Sequence, residues 1–301
     1  MRFIDLFAGV GGFHYGLTKA SKQNKCVYSN EWDKYANSVY RKHFGECDQR
    51  DIRLVRETDI PDHDLLCGGF PCQAFSVAGK RGGFDDTRGT LFFEIARILK
   101  EKQPRLCLLE NVKGLLSHDN GRTFKTILAS LTELGYDVQW QVLNSKNFGV
   151  PQNRERVFII GHLRGTRRPK VFPIGETNGK NKELEIRPEA QQQVSPTLST
   201  PSGGHHIPTI RYPLKFLQRN QRNIEGDYTY TVDGANTGGI KQDMKIRRLT
   251  PIECERLQGF PDNWTQYGAT GEPISDTQRY KMMGNAVTTN VISVIAGGFA
   301  E

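Results

Sequence analysis

Three short stretches carry side chains able to do chemistry. Pro71-Cys72-Gln73 lies just beyond an apolar run, within DLLCGGFPCQAFS at 64–76. A thiol is the most nucleophilic ordinary side chain, and it acts once its pKa is lowered and the thiolate forms. Proline restricts the backbone just before the cysteine. The loop that follows, 78–84, is rich in glycine, as a lid would be. Cys67 sits inside the apolar run and reads as a buried structural thiol. The second stretch is Glu110-Asn111-Val112, which ends the apolar run Leu106–Leu109. A carboxylate there is placed to stay protonated or to share a proton with a base. A helix N-cap or a surface ion pair fits the same residue. The third is Gln152-Asn153-Arg154-Glu155-Arg156. Arg154 and Arg156 are two apart, so in an extended chain they point the same way. Two guanidiniums on one face suit a carboxylate or a phosphate, though a polar strand start has the same look.

A fourth stretch binds rather than reacts. Phe7-Ala8-Gly9-Val10-Gly11-Gly12 follows a strand pattern and opens a helical one. Glycines let a backbone approach a ligand closely there. Glu31 stands at the end of the next strand pattern, where an acid commonly holds ribose hydroxyls. Trp32 follows and offers an adenine ring a stacking face, although a core aromatic has the same signature. Asp51-Ile52 closes a third strand end near the same crevice. A dinucleotide and S-adenosylmethionine both fit these features. The loop has few features for cradling a pyrophosphate, and no hydride-transfer site is evident, so the dinucleotide is the poorer fit.

These residues need a frame that gathers strand ends. Apolar, β-branched runs recur at 2–7, 26–31, 64–69, 105–111, 138–144 and 156–161, with helical spacing between them at 89–102 and 122–134. Strands buried on both faces and alternating with helices predict a doubly wound, mostly parallel α/β sheet, with ligands at its carboxyl edge. After Gly161 the pattern changes. Residues 164–245 are rich in Gly, Pro, Gln, Asn, Thr and Arg without a helical period, which predicts irregular β structure and loops. Helices return at 251–258 and at about 276–296, the latter broken near Gly284.

Composition sets the class. The 301 residues are 37% hydrophobic and 25% charged, as expected of a soluble globular protein. No apolar run reaches membrane-spanning length, and the N-terminus has no signal-peptide pattern. The six cysteines, Cys26, Cys47, Cys67, Cys72, Cys107 and Cys254, are expected to be reduced thiols in a cytoplasmic protein. From Arg164 to Arg248 there are 15 Lys and Arg against 8 Asp and Glu, so this segment holds +7 of the chain's net +8. That distribution suits a polyanion-binding module beside a near-neutral body.

The stretches FAGVGG, PCQ, ENV, QNRER and the late GNAV at 284–287 resemble, in that order, the C5-cytosine DNA methyltransferases of prokaryotic or phage restriction-modification type. The resemblance is close over the first 163 residues and good over 247–292. It implies a Rossmann-like, S-adenosylmethionine-dependent catalytic domain at 1–163 plus about 276–301. A small irregular β-rich DNA-recognition domain would occupy about 164–275. Cys72 resembles the nucleophile that adds to C6 of a cytosine flipped from duplex DNA. Glu110 resembles the residue that contacts N3 and the exocyclic amine. Arg156 resembles the arginine that steadies the base, with Arg154 supporting the Glu110 region. Phe7, Gly9, Gly11, Gly12, Glu31, Trp32, Asp51, Ile52, Leu91 and Asn285 match cofactor-pocket positions. Double-stranded DNA is the implied partner. A cognate restriction endonuclease would act separately, the chain would be a monomer, and no metal is implied. An RNA cytosine methyltransferase of the transfer-RNA type is the nearest alternative, but Gln73 after the cysteine favours DNA. A catalytically idle DNA-binding regulator is a further one, opposed by the presence of Cys72, Glu110 and Arg156 together.

DNA contacts are expected from Gln73, Ser76, Lys80 and Arg81 around the catalytic loop, and from the run 218–223, which contains Gln218, Arg219 and Arg222. Arginine suits guanine O6 and N7, and Asn or Gln suits adenine N6 and N7. Arg164, Arg167, Arg168 and Lys170 resemble phosphate contacts, which position without specifying. The two groups separate experimentally. Arg219→Ala is expected to relax target preference by about 1–3 kcal/mol. Lys170→Ala is expected to weaken binding to every sequence alike and to flatten the salt dependence by about one unit. Methylation of a randomised-site library, with binding titrated against salt, measures both. An unchanged site preference in Arg219→Ala places readout elsewhere.

Overall fold

The computed structural model describes residues 1–71, 91–166, the short strands at 214–217, 223–226, 229–230 and 239–242, and residues 245–299. Cys72, Gln73, Ser76, Lys80, Arg81, Arg167, Arg168, Lys170, Gln218, Arg219 and Arg222 lie outside the described residues.

The apolar runs of the first half become one six-stranded sheet. Its strands are β1 (Arg2–Leu6), β2 (Lys25–Asn30), β3 (Leu65–Gly69), β4 (Leu106–Val112), β5 (Tyr136–Asn144) and β7 (Glu155–Leu163), in spatial order β2-β1-β3-β4-β7-β5. The first four are parallel, and β7 runs antiparallel between β4 and β5. The run at 156–161 therefore enters the sheet from the end at which β4 finishes. Its first residues lie beside the last residues of β4, with Val112 paired to Arg156. The two-residue β6 (Gln152–Asn153) stands just outside this sheet.

Helices cover both faces, as unbroken apolar strands require. On one face α1 (Gly12–Ala20) and α7 (Thr289–Gly297) bury Phe13, Leu17, Val291, Ile292 and Ile295 against Phe3, Leu65, Leu108 and Ile160. On the other, α3 (Leu91–Lys102) and α4 (Arg122–Glu133) bury Phe92, Ile95, Leu99, Ile127 and Leu131 against Ile4, Leu66, Leu109 and Ile159. The chain passes from β1 to β2 on one side and returns to β3 on the other. The strand order thus reverses at β1, and a ligand crevice is expected outside the carboxyl ends of β1 and β3.

The second half is less regular. Strands β8 (Leu214–Leu217), β9 (Asn223–Gly226), β11 (Gly239–Gln242) and β12 (Lys245–Arg248) form an antiparallel sheet ordered β12-β11-β8-β9. The short β10 (Thr229–Tyr230) instead pairs in parallel with β6. Thr250-Pro251-Ile252-Glu253 then starts α5 (Pro251–Leu257) with a reciprocal capping box and proline in the first turn. Residues 249–275, grouped by sequence with the recognition segment, pack on the first body. Leu249, Cys254, Leu257, Phe260, Trp264 and Ile274 share a cluster with Val10 and with Ala36 and Val39 of α2 (Lys34–Phe44). Trp264 donates its Nε1–H to the Val10 carbonyl at 2.9 Å.

One further expectation changes, and the break expected near Gly284 is present. Residues 51–52 do not close a third strand. Asp51 caps a 3₁₀ turn at Ile52–Leu54 by accepting the Arg53 N–H, and a single parallel bridge, Asn30 to Asp48, is what pairs beside β2. The final helical stretch is two helices, α6 (Asp276–Asn285) and α7, separated by Ala286-Val287-Thr288. Val287 lies against α1, where a Cβ added at Gly12 would stand 2.7 Å from Val287 Cγ1 and 3.0 Å from its carbonyl oxygen. Gly12 thus serves helix-to-loop packing. Gly12→Ala is expected to destabilise by overpacking, by about 1–3 kcal/mol. Urea unfolding measures it, and an unchanged midpoint would mean that this contact tolerates a methyl group.

Candidate active site

The glycine loop leaves β1 in an uncommon conformation. Phe7 has φ 55 and Gly9 φ 55, and a positive φ at a non-glycine residue such as Phe7 is held only by its surroundings. Ala8 donates its N–H to the Asn30 carbonyl at 3.0 Å, and Gly11 to the Ala8 carbonyl at 2.9 Å. Gly11 then stands as N-cap of α1. Above Gly9 a Cβ would meet nothing within 4 Å, so space is open there for a ligand.

Glu31 pins this loop to the end of β2. Its Oε2 accepts the Gly9 N–H and its Oε1 the Asp33 N–H, both at 2.7 Å. Each oxygen keeps a second acceptor site for a ligand hydroxyl. Burial holds the Glu31 carboxyl above its usual range despite the two N–H donors. Trp32, next in sequence, is 62% exposed. That rules out the core-aromatic alternative and leaves an indole facing solvent beside the loop. Ile52 belongs to the buried cluster on one face of the sheet, and Phe7 and Leu91 pack against that same cluster. Asp51 is committed to Arg53 and to its capping role. Asn285 is exposed at the end of α6, two residues before the Val287 that touches Gly12.

The reactive end lies one strand over. Gly69 of β3 is in register with Glu110 of β4, and a Cβ at Gly69 would come within 3.2 Å of Glu110 Oε2. Only a small residue lets the neighbouring strand pass the carboxylate. Glu110 is neither a helix cap nor a surface ion pair. It is 9% exposed, and Arg156 Nε lies 3.0 Å from its Oε1. Burial holds the Glu110 carboxyl above its usual range, while the nearby Arg156 and Arg154 pull it back. The two arginines do not share one anion. Arg156 takes the carboxylate, whereas Arg154 Nη2 donates to the carbonyls of Gly284 at 2.9 Å and Ala286 at 2.7 Å.

Asn111 is a site residue that the motif alone did not bring out. Its Nδ2 donates to the Phe70 carbonyl at 2.8 Å, fixing the chain two residues before Cys72. Its Oδ1 accepts the Val112 N–H at 2.8 Å. Side chains alternate along a strand, so neighbours Glu110 and Asn111 serve different partners. Cys67 is fully buried, with its Sγ donating to the Ile4 carbonyl at 3.0 Å, and burial pushes its thiol well up. It is the inert cysteine of the pair. Among the described residues Cys26, Cys47, Cys67, Cys107 and Cys254 are all free, and no group of side chains could hold a metal.

A glycine loop, an acid at the next strand end and a buried acid–arginine pair, arranged around the switch point of a doubly wound sheet, fit an enzyme that uses a nucleoside-containing cofactor. Comparison with known proteins narrows the class. The model of the C-5 cytosine-specific DNA methylases matches residues 1–225 and 211–300. Type II methyltransferase M.HhaI of Haemophilus parahaemolyticus is 40% identical over 98% of this chain and 93% of that protein. Type II methyltransferase M1.ScrFI of Lactococcus lactis subsp. cremoris is 43% identical over 100% of this chain and 78% of that protein. Among solved structures, the S. pombe Dnmt2 methyltransferase superposes with TM-score 0.69 at 20% identity, covering 99% of this chain and 97% of that one. A Spodoptera frugiperda DNMT2 variant gives 0.67 at 19%, covering 100% and 99%. At that identity the structural likeness speaks for the fold alone. The chain belongs to the C-5 cytosine-specific DNA methylase family, and it is a DNA cytosine-5 methyltransferase.

The buried pair yields a pH-dependent prediction. Arg156→Ala leaves Glu110 without its nearest counter-charge and is expected to cost about 3–5 kcal/mol at neutral pH. A carboxyl whose folded pKa is raised contributes most below its unfolded value and least as pH rises through the folded one. Removing Arg156 raises Glu110 further, so the loss is expected to shrink as pH falls towards 5. Urea unfolding at pH 5 and pH 8 measures this, and equal losses at both would contradict it.

Proposed function

We propose that this enzyme methylates C5 of a cytosine at one specific sequence in duplex DNA, using S-adenosylmethionine, with Cys72 as nucleophile and Glu110 as the acid at N3. The observation that carries the assignment is the register of Gly69 with Glu110, which sets the buried Glu110–Arg156 pair beside the chain that leads into Cys72.

The residues present suit the cofactor. The open space over Gly9 admits a ligand against the backbone, and Glu31 has acceptor sites left for ribose hydroxyls. The exposed Trp32 offers a stacking face, and Phe7, Ile52 and Leu91 an apolar wall. Asn285, exposed at the end of α6, is assigned as a further cofactor contact. When bound, S-adenosylmethionine supplies an electrophilic methyl group.

The protein's own part is to make cytosine C5 a nucleophile. The base must leave the stack first, because both faces of its ring are needed. The Cys72 thiolate adds to C6, breaking the C5–C6 double bond and pushing charge towards N3. Glu110, held protonated more readily by its burial, meets that charge with a proton. Arg156 keeps the carboxyl aimed and Asn111 holds the start of the cysteine loop. Once C5 carries the methyl group, loss of the C5 proton, return of the N3 proton to Glu110 and release of Cys72 restore the aromatic base. The basic segment from Arg164 to Arg248 supplies DNA recognition, with its end at about Arg248 because residues 249–275 share a core with α2. As with the Type II methyltransferases it is similar to, we assign it to a restriction-modification setting in the cytoplasm, as a monomer acting apart from any endonuclease.

Duplex DNA carrying 5-fluorocytosine is expected to trap the wild-type protein covalently in the presence of S-adenosylmethionine, and peptide mapping to place the adduct on Cys72. Cys72→Ala is expected to lose transfer while still binding DNA. Glu110→Gln is expected to slow single-turnover transfer by about 10²–10⁴-fold. An adduct on Cys67, or active Cys72→Ala protein, would overturn the assignment. Transfer to transfer RNA in preference to duplex DNA would establish the alternative substrate.

A further inference from the structure

Arg154 is 2% exposed, and it neither faces solvent nor takes the Glu110 carboxylate directly. Its Nη2 ends instead on two backbone carbonyls, Gly284 at 2.9 Å and Ala286 at 2.7 Å. Gly284 lies in the last turn of α6 and Ala286 is the residue just beyond it. The last carbonyls of a helix lack partners within it, and a cation is favoured at that end. The guanidinium therefore acts as the cap that α6 does not carry in its own sequence.

The other end of Arg154 is fixed as well. Its N–H lies 3.0 Å from the Gln152 carbonyl and 3.1 Å from Asn144 Oδ1, and its carbonyl accepts the Ser145 N–H at 3.0 Å. A second tie runs beside the first. Ser145 Oγ is 2.8 Å from Thr288 Oγ1, which donates to Gln258 Oε1 at 2.8 Å, and Gln258 Nε2 donates to the Met283 carbonyl at 2.7 Å. The turn that carries Arg156 and the turn that carries Asn285 are thus clamped as one unit.

We propose that Arg154 is a positioning residue that couples cofactor seating to the target-base site, by holding the Asn285 turn of α6 against the strand start that presents Arg156 to Glu110. This rests on the reading of Asn285 as a cofactor contact and of Glu110 as the acid. Two charged groups face Glu110 among the described residues, Arg156 on β7 and Arg154 just before it; β3 offers Gly69, which has no side chain. Arg154 therefore acts on both ends of the site, on one through two hydrogen bonds and on the other through its charge.

Lysine separates the two effects. It keeps the charge, but its shorter stem and point-like ammonium do not reproduce the guanidinium's reach to both carbonyls. Binding of S-adenosylhomocysteine is measured by calorimetry in wild type, Arg154→Lys, Arg154→Met and Asn285→Ala. Single-turnover rates are followed against pH, and the ionisation of Glu110 is identified by its loss in Glu110→Gln. Arg154→Lys is expected to weaken S-adenosylhomocysteine binding about 5- to 150-fold, the range of site-to-site couplings, with the Glu110 ionisation left in place. Arg154→Met is expected to weaken binding similarly and to move that ionisation to higher pH, because the carboxyl loses a cationic neighbour. Should Arg154→Met fail to fold, Arg154→Lys against Asn285→Ala decides. Weakened binding in Asn285→Ala with normal binding in Arg154→Lys overturns the coupling alone. Normal binding in Asn285→Ala overturns the cofactor reading, and the coupling with it.

Discussion

A carboxyl group buried at the end of a strand must be given either a proton or a counter-charge, and Glu110 is placed where both are within reach. Arg156 stands 3.0 Å away, so the charged form has a partner. Burial opposes that form and raises the carboxyl's affinity for a proton. A group balanced between two states is what proton donation to a reacting base requires. The geometry around it follows from this need. Gly69 leaves room for the carboxylate from β3, and β7 runs antiparallel so that its first residues, not its last, reach the carboxyl edge. A parallel strand at that place would put the start of the strand at the opposite end of the sheet from Glu110.

The turn at Gln152–Arg156 is where distant parts of the chain meet. It pairs with β10 from the basic segment, holds the α6 turn through Arg154 and reaches Glu110 through Arg156. The basic segment, the end of α6 and the buried Glu110 thus meet at one short run of backbone. Asn144 ties the turn down from β5 as well, accepting the Arg154 N–H while its Nδ2 donates to Asn153 Oδ1 at 2.6 Å. A displacement of any one element is carried to the others through hydrogen bonds that are mostly buried and therefore costly to break.

The cofactor end uses the same economy in a different form. The two Glu31 oxygens fix Gly9 and Asp33, and each keeps a second acceptor site. Trp32 does the opposite. It contributes little to the core and leaves a large apolar face in water.

Much of this was legible in the residues themselves. The six strand runs and the helices at 89–102, 122–134 and 251–258 follow from periodicity, because a strand buried on both faces or a helix buried on one must repeat its apolar residues at the spacing of its backbone. Cys72 and Glu110 stand out because reactive side chains follow apolar runs, Arg156 because it lies two residues from Arg154 just before one, and the order of the motifs carries the family. Local chemistry could not say which partner each side chain takes. Arg154 and Arg156 look alike in sequence, yet one caps a helix about 130 residues away and the other pairs with a carboxylate on the neighbouring strand. Trp32 reads equally well as core or surface, and its exposure depends on what packs around the end of β2. The assignment of 249–275 to the first body likewise rests on Trp264 meeting Val10 and α2. Periodicity is a property of neighbouring residues, and so the sequence carries it. Pairing, burial and the direction of β7 arise from contacts between segments far apart in the chain, and these exist only once the sheet has closed around them.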